Sequence, residues 1–101
     1  MLLTCRWFSN FENSRFEQCR TANGVEAVPE DGASLACLDH LCAELETRAR
    51  RVAHWAHVEP VWGVFTVRLY GRVSVEPHEK RYLGDGTRTV LVEKLIEVRK
   101  R

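Results

Sequence analysis

From Phe65 to Val75 the chain alternates apolar and polar residues with a period of two, and no other feature restricts the fold so tightly. Phe65, Val67, Leu69, Val73 and Val75 fall on one side, with Thr66, Arg68, Tyr70, Arg72 and Ser74 on the other. Successive side chains of a strand point to opposite faces, so the segment reads as a β-strand with one buried face. A second run, TRTVLVEKLIEVRK over residues 87–100, repeats the pattern, with Val90, Val92, Ile96 and Val98 inward and Glu93 and Glu97 outward. Between them PHEKRYLGDGTR is polar, and its Gly84-Asp85-Gly86 cluster supplies a turn. The two runs are expected to pair as an antiparallel hairpin with a long tip.

A different period precedes them. In DGASLACLDHLCAELETRARRVA, Leu35, Leu38, Cys42, Leu45, Ala49 and Val52 recur at spacings of three and four, which predicts an amphipathic helix over about residues 33–53. Asp31 or Ser34 is placed to cap its first turn, and Arg48, Arg50 and Arg51 suit the negative end of its dipole. Glu44 with Arg48 and Glu46 with Arg50 form i,i+4 pairs in the favourable order.

The N-terminal third is less regular. LLTCRWF reads as a short strand and RFEQCRT as a weaker one with Phe16 inward. Asn23-Gly24 signals a hairpin turn, followed by a short third strand in VEAV. The whole is an α+β chain of about five antiparallel strands in the order β-β-β-α-β-β, with an open-barrel or strongly curved sheet. This order resembles the five-stranded oligonucleotide/oligosaccharide-binding barrel, in which a helix separates the third and fourth strands.

Bulk properties fit that reading. A hydrophobic content of 45 % and a charged content of 29 % in 101 residues describe one globular domain, residues 1–101. No apolar run approaches the ~18 residues of a membrane span, and Arg6 interrupts the first apolar stretch after five residues, so the chain is expected to be a cytoplasmic protein without membrane association. The formal net charge of +1 demands no polyanionic partner, although residues 61–101 hold nine Lys/Arg against five Asp/Glu. Cys5, Cys19, Cys37 and Cys42 include no C-x-x-C pair. On one helix, Cys37 and Cys42 would stand about 140° apart, so free buried thiols are expected.

The stretch HWAHVEPVW, His54 to Trp62, concentrates the residues most suited to function. His54 and His57 are weak metal candidates, since i and i+3 share a face on a helix and Glu59 or His78 offers a third ligand. Pro60 disfavours helix at Glu59, and in an extended chain the two imidazoles would face opposite ways. A helix-to-strand junction is therefore the simpler reading. Trp55, Trp62, Arg68, Tyr70 and Arg72 form the candidate ligand or partner surface, because aromatics and arginines are the anchors of protein interfaces. The same residues suit single-stranded nucleic acid, with π-faces for bases and cations for phosphates.

No catalytic frame stands out: there is no Walker loop, nucleophile elbow, G-x-G-x-x-G or H-E-x-x-H. His40 with Asp39 and Glu44, and His78 with Glu79, read as solvated polar groups. The sequence thus points to a non-enzymatic binding or interaction module without a cofactor, self-associating as a small homo-oligomer such as a homodimer. Single-stranded nucleic-acid binding is the alternative, and a small metal-dependent enzyme using the His54/His57 region is the second.

Overall fold

A computed structural model describes residues 1–10, 13–74 and 88–101. Five strands and one helix follow each other as β1 (Leu2–Ser9), β2 (Ser14–Thr21), β3 (Ala33–Cys37), α1 (Leu41–Ala53), β4 (Gly63–Val73) and β5 (Arg88–Lys100). The strands close into a barrel in the order β1-β2-β3-β5-β4, and β4 returns to β1 over an unbroken register from Leu2↔Tyr70 to Ser9↔Gly63. The α+β class and the order of three strands, helix and two strands agree with the sequence pattern.

Not every strand pair is antiparallel. β3 runs parallel to β5, with Ala33↔Arg88 through Cys37↔Val92 in register. Geometry requires one such pair, because a closed ring with an odd number of strands cannot alternate direction all the way round. α1 occupies the connection from β3 to β4 and packs mainly on β5.

The helix is shorter than its sequence pattern. Residues 33–37, expected as its first turn, form β3, and α1 begins at Leu41. The spacing of Leu35, Leu38 and Cys42 mimics a helical stripe across a corner, yet Ala33, Leu35 and Cys37 also alternate as a strand does. Asp39 turns the corner in the left-handed region at φ 49°, which breaks the helical path. His40, rather than Asp31 or Ser34, is the N-cap, and its side chain makes no capping bond. The buried stripe is Leu45 and Ala49, with Leu41 and Ala53 beside it, whereas Leu38 and Val52 are exposed. The expected ion pairs Glu44–Arg48 and Glu46–Arg50 are made at 3.2 and 2.7 Å.

Bulges shift the inward phase of two strands. In β5 the buried residues are Val90, Val92, Leu95 and Val98, while Ile96, expected inward, is exposed. The register with β4 skips Glu93 and Ile96, and each skipped residue reverses the faces of those that follow. Gly71 of β4 sits beside one of these irregularities, where a Cβ would lie 2.5 Å from the Leu91 carbonyl oxygen. β2 likewise skips Glu17, so that Phe16 and Cys19 both point inward.

VEAV folds back on β2 as a hairpin, with Thr21 N–H donating to Val25 O at 2.9 Å and Ala27 N–H to Cys19 O at 2.7 Å. It provides only an isolated bridge, Arg20↔Glu26, and the third strand is Ala33–Cys37 instead. The core joins the two halves of the chain: Leu3, Trp7, Phe16, Phe65, Val67, Leu69, Val90 and Val92 fill the barrel, and Leu45 and Ala49 close over it. Trp7 stacks on Phe65 with ring centroids 5.3 Å apart.

All four cysteines are bonded, as Cys5–Cys19 and Cys37–Cys42, which replaces the expectation of free thiols. Cys37 ends a strand and only Cys42 belongs to the helix, so the two are not held about 140° apart on a common axis. The Gly84–Gly86 turn, His78 and Glu79 lie outside the described residues. Among those described, no helix is long and apolar enough to cross a membrane.

Candidate functional site

The HWAHVEPVW stretch is a connection from α1 to β4, and one arginine organises it. The helix ends at Ala53, His54 adopts the left-handed conformation at φ 52°, and Trp55 N–H reaches back to Arg50 O at 2.9 Å. From inside the last turn, the Arg50 guanidinium donates to three successive loop carbonyls: His57 O at 2.7 Å, Val58 O at 3.1 Å and Glu59 O at 2.7 Å. Its Nε donates to Glu46 Oε2 at 2.7 Å, and the same carboxylate oxygen accepts Val61 N–H at 2.9 Å. The Trp55 indole N–H adds a bond to Glu59 O at 3.0 Å. Val61 is fully buried, so the loop is fixed at both ends and tied across its middle.

This loop carries Val58 and Trp62 outward, beside the exposed His54, His57 and Glu59. Trp55 and Trp62 lie with ring centroids 6.0 Å apart at 32°, and His57 meets the edge of Trp55 at 4.7 Å. Val58 is 95 % exposed and Trp62 48 %. Holding such groups in one geometry before binding removes the ordering cost that a floppy loop would meet.

No protein family, curated protein or solved structure matches this chain.

The five residues grouped by sequence divide between two places. Trp55 and Trp62 share the pinned loop at the start of β4. Tyr70 lies eight residues farther along, or about 26 Å at the usual ~3.3 Å per strand residue. There it stands on the outer wall of the barrel, 44 % exposed, between Leu2 of β1 and Lys94 of β5. Arg68 shares that wall opposite Thr4 and Glu97, and Arg72 is paired with Glu93 at 3.2 Å. Arg68, Tyr70 and Arg72 alternate along the outer face of β4 as the period of two requires, and Trp62 precedes the first residue of that strand.

His54 and His57 serve the loop itself, one as the helix C-cap residue and the other as a ring against Trp55. Among the described residues, no group of three or more His, Cys, Asp or Glu side chains converges to hold a metal ion.

Two of the recesses among the described residues are assembled by the barrel. One, of about 300 Å³, opens between β1, β2, β3 and α1; its wall includes Trp7, Asn13, Leu35, Cys42, Glu46 and Pro60. Asn13 Oδ1 is buried there with no hydrogen-bond partner among the described residues. The other, of about 220 Å³, lies on the outer wall, where Arg6, Arg20 and Arg101 surround Thr4, Gln18 and Thr66. Arg6 is paired with Glu17 at 3.2 Å and Arg20 with Glu26 at 3.5 Å. Both recesses join residues distant in sequence, so only the barrel register assembles them.

Proposed function

We propose that the protein is a non-enzymatic binding module that associates with a second copy of itself through the Trp55–Val58–Trp62 loop. The observation that carries this reading is an apolar tip held rigid by Arg50 and Glu46. Exposed aromatics in a fixed geometry are the groups from which interface hot spots are built. A formal net charge of +1 leaves little repulsion between copies. Light-scattering chromatography tests it: the wild type runs at twice its 11.7 kDa chain mass, and Trp62→Ala or Val58→Asp returns it to one. A monomer at every concentration, indifferent to both changes, sinks the proposal.

Single-stranded nucleic-acid binding is the second reading. The strand order β1-β2-β3-β5-β4, with a helix between β3 and β4, supports an oligonucleotide/oligosaccharide-binding type of barrel. The arginine-lined recess on its outer wall offers phosphate contacts, although two of its three arginines already face carboxylates. Fluorescence anisotropy with a labelled oligonucleotide decides it across a salt series, since phosphate contacts are strongest at low salt and their absence there ends the reading.

A cytoplasmic location sits poorly with two disulfides, which persist where cellular thiol systems do not keep cysteines reduced. An oxidising compartment suits the pairing better.

A further inference from the structure

We propose that Cys37–Cys42 is a thiol–disulfide exchange site whose substrate is the dithiol of a protein or peptide. Three features of the corner between β3 and α1 suit it to this chemistry, and none of them requires self-association.

The first is access. Cys42 is exposed, Cys37 is half-buried, and Cys42 lines the 300 Å³ cleft. Trp7 and Leu35 give that cleft apolar walls. The second is placement: Cys42 is the second residue of a 13-residue helix, whose N-terminal partial charge favours a thiolate as leaving group.

The third is independent support on both sides of the bond. Cys37 is held in register with Val92, and Leu38 N–H donates to Val92 O at 3.0 Å. The helix is anchored separately by buried Leu45 and Ala49. The two Cα atoms are thus kept near their separation of 5.5 Å by contacts other than the sulfurs, so that the opened dithiol can close again.

The chemistry balances without a cofactor. A substrate thiolate attacks Cys42 Sγ, the Cys37–Cys42 bond breaks, and Cys37 leaves as a thiolate that takes a proton from water. The substrate's second thiolate then attacks its own sulfur in the mixed disulfide, closing the substrate disulfide and releasing Cys42 as a thiolate, which takes the second proton from water. The substrate dithiol has lost two electrons and two protons, and the Cys37/Cys42 pair has gained them.

The oxidised 101-residue chain is incubated with dithiothreitol, quenched with acid, alkylated and mapped by mass spectrometry, while far-ultraviolet circular dichroism follows the fold. Cys37 and Cys42 should be reduced on the order of 100-fold faster than buried Cys5 and Cys19, without change in the dichroism, and should re-form on addition of oxidised glutathione. Equal rates, or reduction only with loss of the fold, overturn the site. With glutathione disulfide, Cys37→Ser, which leaves Cys42 free, should form a mixed disulfide about ten-fold faster than Cys42→Ser. The reverse order overturns the assignment of Cys42 as the attacked sulfur. A model peptide dithiol should be oxidised stoichiometrically by the wild type and not by Cys37→Ser/Cys42→Ser; oxidation by both overturns the proposal.

Discussion

The two disulfides are the same bond in opposite surroundings. Cys5 and Cys19 face each other across β1 and β2, within 1 % of complete burial, and their bond is a rung inside the barrel. Cys37–Cys42 closes a corner at the surface, between the end of a strand and the start of a helix. The rung is shielded by the core it helps to fill, so solvent thiols reach it only when the barrel opens. The corner is reachable in the folded protein and is braced on each side by packing that does not depend on it. Burial therefore separates a bond that serves stability from one available to chemistry.

Loss of the rung should have the largest effect. Cys5→Ala/Cys19→Ala removes both a cross-link of sequence separation 14 and two fully packed sulfurs, so urea denaturation should show a loss of about 3–5 kcal/mol. Cys37→Ser/Cys42→Ser opens a shorter ring and leaves no void in the core; its loss should be about 2 kcal/mol by the same measurement. Equal losses for the two pairs would dissolve the distinction. A smaller effect belongs to the loop beside the corner. Arg50→Ala should cost about 1 kcal/mol, discounted because the side chain is partly exposed, and should speed amide exchange at Val61 relative to the strands. Trp62→Ala should leave stability within about 0.5 kcal/mol of wild type while changing the elution volume, which would separate binding surface from scaffold.

The strands that alternate cleanly were legible in the sequence. Phe65, Val67 and Leu69 are buried as the period of two requires, and the i,i+4 pairs of α1 form as written. Three things were hidden, each for a definite reason. Ile96 faces out because bulges insert residues that no local pattern marks. β3 resembled a helical turn because five residues are too few to separate a period of 2 from one of 3.6. The cysteine pairing required knowing that the helix starts at Leu41, since everything inferred about Cys37 followed from placing it on that helix. The candidate site was half legible: HWAHVEPVW is a junction, as Pro60 implied, but nothing local announces that Arg50 will bind three of its carbonyls. Nor does any pattern assemble the cleft that brings Trp7 and Asn13 beside Cys42.

The parallel pairing of β3 with β5 also sets an order in time. Ala33–Cys37 meets Arg88–Val92, so the ring cannot close on a ribosome until β5 has been made, some fifty residues after β3. On its other side β3 is joined to β2 by the single pair Phe16↔Ala33. During synthesis β3 therefore waits with open edges, free to pair with a strand of another chain. β5 seals the barrel and in the same step covers the open edge of β3.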